Sequence, residues 1–228
     1  GIVASSILMG VVYNPEADPS RVYYGTDTRA AGLLIGAALA FLARRGIRKA
    51  RRIVIAPHQA VLLRRLGIEA SRDRLTTAEQ VHGTRVVEVT RADAGAGAWA
   101  DAGRGRPPLP ATDALWTRER GVPLMLLFAD CVPVVLVRPS VPAIAVVHAG
   151  WRGAAAGIVG AAARVLGGLA GAVDLSAYVG PHIGPCCYEV GEECVSHFDN
   201  AFVTTTAASS QLDLGAAIGH DLERSGVP

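Results

Sequence analysis

At 228 residues, half of them hydrophobic and 18% charged, the chain is long enough to bury a sizeable core as a single domain, and its composition excludes intrinsic disorder. Gly (26) and Pro (13) follow no period, which excludes collagen-like and low-complexity architectures. A net charge of +2 gives no strong overall field, and four cysteines, two of them adjacent, make a poor disulfide framework; a reducing, cytoplasmic setting is the expectation.

Taken in chain order, the sequence opens on Gly1-Ile-Val-Ala-Ser-Ser. It has no basic stretch before its apolar residues, so no export signal is expected. The longest apolar run, 30–43, falls short of the ~20 residues that span a bilayer and is expected as a buried helix over 30–45. No membrane association is expected. Basic residues gather just after it, in Arg44-Arg45-Gly-Ile-Arg48-Lys49-Ala-Arg51-Arg52, and residues 1–75 hold 12 basic and 5 acidic side chains against 10 and 15 in the rest. Such a patch can neutralise phosphates. No aromatic residues interleave for base stacking, however, and Arg and Lys in a last helical turn complement the helix dipole. A solvated helix end is therefore expected, with no nucleic-acid partner.

A short strand from 52 ends at Pro57, and a helix over 58–66 stops at Gly67. Residues 85–90 alternate like a half-buried strand. Residues 92–110, rich in Ala, Gly and Pro, read as a long surface loop. The runs 123–129, 133–137 and 143–147 are continuously apolar and bounded by Pro, the pattern of strands buried on both faces. Helices are expected over 153–166, 190–198 and 212–222. The whole reads as a single α/β domain over 1–228, with no repeat and no linker.

Ligand-type residues collect where strands stop. Cys131 follows Phe128-Ala-Asp130, His148 follows Val146-Val, and His82 lies in Glu79-Gln80-Val-His82-Gly83, just before a strand. The separations, 49 residues from His82 to Cys131 and 17 from Cys131 to His148, are too long for a compact zinc finger. They suit a site assembled from three elements. Two His and one Cys are ligands for Zn or Cu, although each type also serves as a packed core residue. A second group, His182, Cys186, Cys187 and Cys194, has no standard zinc spacing.

Four motifs arrive in order: Gln80-Val81-His82-Gly83, Ala129-Asp130-Cys131-Val132-Pro133-Val134, His148-Ala-Gly-Trp-Arg-Gly153, and Gly180-Pro181-His-Ile-Gly-Pro-Cys-Cys-Tyr188-Glu189-Val190-Gly191. Together with Thr112-Asp113-Ala-Leu-Trp-Thr117 they resemble the YfiH family, also called the laccase-domain, polyphenol oxidase or peptidoglycan editing factor family. The resemblance runs from about Asp73 to Val227. It implies a layered α-β-β-α fold of α/β (α+β) class, with mixed sheets flanked by helices. It also implies that His82, Cys131 and His148 are the ligands of one zinc. The implied activity is phosphorolysis of adenosine, inosine, guanosine and methylthioadenosine, with deamination of adenosine; some relatives are described instead as copper-dependent phenol oxidases.

The residues are chemically competent for this. Three protein ligands leave a fourth position on a tetrahedral zinc. Arg29 and Arg152 are the candidates for gripping phosphate through their forked guanidinium groups, although Arg152 serves equally in a structural ion pair. Gln80 either bonds the substrate or supports the His82 loop. Asp130, beside Cys131, either moves a proton or caps the following turn. Tyr188 and Glu189 are expected as pocket wall or framework. The N-terminal third departs from the family pattern, with Arg29 standing for its arginine, and the family's closing elements are absent after Gly226-Val-Pro.

The expected partners are a purine nucleoside and phosphate, and the expected assembly is a monomer or weak homodimer. A copper-dependent, laccase-like oxidase is the first alternative, with Cu as the metal, but six His in all are too few for a multicopper cluster. The second alternative uses Cys131 as nucleophile and a His as base, in amide hydrolysis on cell-wall precursors.

Overall fold

The structure, a computed structural model, describes residues 74–97, 106–169 and 174–227. The expected helices over 30–45 and 58–66, the strand from 52 and the candidate Arg29 lie outside the described residues.

Two of the Pro-bounded apolar runs form the middle of a five-stranded sheet. They are β3 (Val132–Arg138), buried except at Val137, and β4 (Ala143–Ala149), whose seven residues are all buried. Around them lie β1 (Val86–Glu88), β2 (Ala114–Thr117) and β5 (Ser176–Val179), in the order β1-β2-β4-β3-β5. Only β1 and β2 run parallel; every other neighbouring pair is antiparallel.

Because successive side chains point to opposite faces, each central strand feeds two cores. On one face Val132, Val134, Leu136, Ala145 and Val147 pack with Ile158, Ala162 and Leu166, and with Ile218 and Leu222. On the other, Leu115, Ile144 and Val146 pack with Val89, Val122, Leu124, Leu126 and Phe128.

The helices lie against the first face. The helix expected over 153–166 is two helices, α1 (Trp151–Ala155) and α2 (Ile158–Gly167), separated at Gly157, whose φ of 78° is left-handed. A run of small residues carries no signal for such a break. Beyond β5, a three-stranded sheet in the order β6-β8-β7 is built from β6 (Glu189–Val190), β7 (Val203–Thr205) and β8 (Ser210–Leu212). The helix expected over 190–198 is reduced to one turn, α3 (Glu192–Val195), while α4 (Leu214–Arg224) supplies Ile218 and Leu222 to the core. This is a mixed α/β fold with mixed sheets flanked by helices.

The run 123–129 is not a ladder strand. It is extended and makes a single bridge, Thr76 to Leu124. Leu124, Leu126 and Phe128 within it, and Val122 just before it, are buried in the second core, while Leu127 is exposed. The backbone of Leu127 is bonded at both its N–H and its carbonyl to the Gln80 side chain. An apolar run shows that a segment is buried; whether it enters a ladder depends on a partner strand.

Among the described residues no helix is long and apolar enough to cross a membrane.

Candidate metal centre

The register of the sheet builds the site. Val132 pairs with Ala149 and Pro133 with His148, so Cys131, one residue before β3, lies beside the end of β4. On the other side of β4, Ala114 pairs with Val147, which sets Asp113 against His148. The Val81–Gly83 turn completes the group. The donor atoms of His82, Cys131 and His148 all lie within 4.8 Å of one another. His82 is exposed, Cys131 half-buried and His148 buried, so the centre opens to solvent on the His82 side. The two imidazoles meet edge-on, with ring centroids 4.9 Å apart, and Phe128 lies against His148 at 5.5 Å.

One buried carboxylate organises both histidines. Asp113 is fully buried. It accepts hydrogen bonds from three successive backbone N–H groups, those of Val81 (3.2 Å), His82 (2.9 Å) and Gly83 (2.8 Å). Its Oδ1 also lies 2.9 Å from Nδ1 of His148. The three backbone bonds hold His82 at φ 60°, a left-handed conformation uncommon away from glycine. The fourth places the His148 proton on Nδ1 and leaves Nε2 with a free lone pair. Sequence reasoning assigns Asp113 no role. The one local signal is an acidic residue directly before the wholly apolar Ala114-Leu115, since a buried charge demands several partners.

The space between the donors exists because residue 150 is glycine. A Cβ there would lie 2.5 Å from Cδ2 of His82 and 3.0 Å from Sγ of Cys131. Gly153, in α1, also comes close to the turn, since a Cβ on it would stand 2.9 Å from the Gly83 carbonyl oxygen.

Burial, aided by the carboxylates of Asp130 and Asp113, pushes the Cys131 thiol up to about 11. Burial also pulls the His148 imidazole below its ordinary value, with His82 adding to the effect and the Asp113 hydrogen bond opposing it. A neutral imidazole is a ready ligand. The thiol needs a neighbouring cation to ionise, and a divalent metal supplies one. Borderline-soft donors, a glycine-lined gap and a carboxylate behind one imidazole together fit a zinc or copper ion.

The other candidates are placed as follows. Gln80 is bonded through both ends of its amide to the backbone of Leu127, at 2.7 Å each. Asp130 adjoins Cys131, and its carbonyl accepts the N–H of Ile183 (3.1 Å). Arg152 is exposed, stacked 4.2 Å over the Trp151 ring and paired with Glu193 at 3.1 Å. Tyr188 is half-buried, and its phenol is pushed up to about 12 by burial, with further upward contributions from Cys194, Cys131 and Asp130. His182 is bonded to the Gly180 carbonyl and stands apart from the triad.

Residues 48–228 match the family described as multi-copper polyphenol oxidoreductase laccase. The chain belongs to this family. Over 167 residues it is 42% identical to a protein named purine nucleoside phosphorylase YlmD from Geobacillus stearothermophilus, the match covering 68% of this chain and 59% of that one. The crystal structure of YlmD from that organism superposes with a TM-score of 0.64 at 36% identity, over 73% of this chain and 64% of that chain. A hypothetical protein YfiH from Bacillus licheniformis gives a TM-score of 0.62 at 30% identity, over 69% and 61% of the two chains. A protein named adenosine deaminase RL5, from an unknown prokaryotic organism, is 39% identical over 129 residues, 53% of this chain and 49% of that one. This laccase-like family chain thus spans less than two thirds of the length of these relatives.

Proposed function

We propose that this chain is a zinc-dependent purine nucleoside phosphorylase that also deaminates adenosine. The observation that carries the reading is the convergence of His82, Cys131 and His148 within 4.8 Å around the gap left by Gly150; the names of the relatives supply the substrate class. A zinc ion held by these three residues would supply Lewis-acid polarisation at its remaining position.

The protein's own groups divide the rest of the task. Asp113 fixes the His148 ring and the His82 turn, so the donors are in place before anything binds. Gln80 ties that turn to the Leu127 backbone, four residues ahead of Cys131. In phosphorolysis a phosphate oxygen bonds to the anomeric carbon of the sugar as the bond to the purine breaks, and the departing base takes a proton. Arg152 is the residue for the phosphate: its guanidinium is exposed and already holds a carboxylate, Glu193, which an incoming phosphate would displace. Tyr188 keeps its phenolic proton at neutral pH and is a hydrogen-bond donor for the base. Asp130, beside Cys131, is the carboxylate assigned to accept a proton.

The family's description favours copper and phenol oxidation. Among the described residues only the one group of three donors is suited to a metal, and a multicopper oxidase needs several copper ions together.

The test is a phosphate-dependent assay on inosine and adenosine with base and nucleoside products separated. Wild type, chelated protein and Cys131→Ala run side by side. Hypoxanthine formed from inosine only with phosphate, and lost in both controls, is the expected result. Inosine formed from adenosine adds the deaminase. No turnover by protein carrying stoichiometric zinc would overturn the reading.

A further inference from the structure

The metal centre leaves a second group of nucleophiles unused. Cys186 and Cys187 are both exposed, and their sulfurs stand 3.0 Å apart, inside the ~4 Å of ordinary side-chain contact. They lie in a turn closed by the Cys187 N–H on the Gly184 carbonyl (3.0 Å) and anchored by Gln211, whose Nε2 donates to the Cys186 carbonyl (3.5 Å). The turn is fixed at both ends. Ile183 donates to the Asp130 carbonyl, next to Cys131, and the Tyr188 carbonyl accepts from Leu212 at the end of β8. The other two thiols are less accessible, Cys131 half-buried and Cys194 buried.

We infer that Cys186 and Cys187 are a reversible two-electron oxidation site that closes to a disulfide between neighbouring residues. The oxidant is a peroxide. The thiolate of one cysteine attacks the peroxide O–O bond, becoming a sulfenic acid as the first water leaves. The sulfur of its neighbour then displaces the sulfenic hydroxyl as a second water, and the S–S bond forms. Two thiols give up two electrons and two protons, and one hydrogen peroxide becomes two waters.

Two features favour closure over further oxidation. The resolving thiol is already in contact, so capture of the sulfenic acid is intramolecular, and both sulfurs are open to the oxidant. Neighbouring Cα atoms are held ~3.8 Å apart by the peptide, below the ~4.4–6.8 Å usual for a disulfide. Such a ring is strained and exposed, and thiols reopen it readily. The site depends on no metal, so it stands whether or not the zinc reading holds.

The test uses the full chain, reduced, desalted and treated with stoichiometric hydrogen peroxide. Free thiols are then alkylated and mapped by mass spectrometry. Wild type should lose the mass of two hydrogens, with the loss confined to the Cys186-Cys187 dipeptide and both residues protected from alkylation. Dithiothreitol should restore both. In Cys187→Ser the mass loss should vanish and Cys186 should gain oxygen instead. Phenylarsine oxide, which takes two thiolates at once, should block both positions in wild type at one equivalent. Sulfinic acids at 186 and 187 without loss of hydrogen, or a disulfide joining either residue to Cys131, Cys194 or a second chain, would overturn the inference.

Discussion

Asp113 and His148 meet through one oxygen, Oδ1 of the carboxylate lying 2.9 Å from Nδ1 of the imidazole. The same carboxylate holds the backbone that carries His82, so one buried charge governs two of the three donors. Asp113→Asn tests this. A carboxamide offers one acceptor oxygen and one NH2, which cannot serve the His148 N–H and all three backbone donors. If the NH2 faces His148, the imidazole proton moves to Nε2 and blocks that donor. Zinc affinity is expected to fall roughly 10–100-fold, measured by competition with a chromophoric chelator. Nitrogen NMR of His148 should report the tautomer in wild type and variant alike, with or without zinc. Unchanged affinity in a folded variant would remove Asp113 from the centre.

Gly150→Ala is a second probe of the same space. Its Cβ would overlap Cδ2 of His82 and press on Sγ of Cys131, so either the His82 turn shifts or the gap closes. Bound zinc is expected to drop well below stoichiometric while the far-UV circular dichroism stays that of wild type, because the overlap is with the site and not with the core. Full zinc occupancy in this variant would mean the ion does not use the gap.

Metal removal should register in stability as well as activity. A ligand that binds only the folded state at ~100 times its dissociation constant adds about 2.7 kcal/mol, which for a chain of this size is a rise in Tm of roughly 5–10 °C. Chelation should therefore lower Tm by that order, and zinc should restore it. Cys131→Ser should shrink the difference between chelated and zinc-loaded protein. Equal Tm values for chelated and loaded wild type would argue that zinc binds weakly or elsewhere.

The elements legible in the sequence are those whose signal is local. β3 and β4 announce themselves because an unbroken apolar run of strand length, closed off by Pro, is what a strand covered on both faces requires. His82, Cys131 and His148 can be named together because ligand-type residues at strand ends are chemically conspicuous, and the motifs around them resemble a known family. Asp113 is not legible as a hub: its partners Val81, His82, Gly83 and His148 lie 30 to 35 positions away, and only the sheet register brings them to it. The run 123–129 reads as a strand because burial pattern alone does not reveal whether a pairing partner exists. Arg152 has two readings, and the structure shows the ion pair with Glu193 on an exposed guanidinium.

The break between α1 and α2 makes a prediction about backbone alone. Gly157 has φ 78°, and a Cβ added to it would meet nothing within 4 Å. Gly157→Ala therefore carries only the left-handed penalty, about 1–2 kcal/mol, read as a lower midpoint in urea with an unchanged slope. Zinc binding should be untouched. A neutral or stabilising effect would mean the two helices join without cost to the packing of α2 on the sheet.

Arg152→Ala separates the two readings of that residue. Its ion pair with Glu193 joins side chains that are 57% and 74% exposed, and such pairs contribute about 0.2–1 kcal/mol; the stacking on Trp151 adds a similar amount. A purely structural Arg152 would thus cost little stability on removal and leave catalysis intact. If it grips phosphate, the variant loses a charge-assisted hydrogen bond of about 1.5–3 kcal/mol, and KM for phosphate should rise roughly 10–150-fold while KM for the nucleoside changes far less. Glu193→Gln supplies the opposite sign. It frees the guanidinium from its carboxylate without removing it, so KM for phosphate should stay level or fall. A rise in both variants would show that the pair, rather than the arginine alone, holds the wall of the site in place.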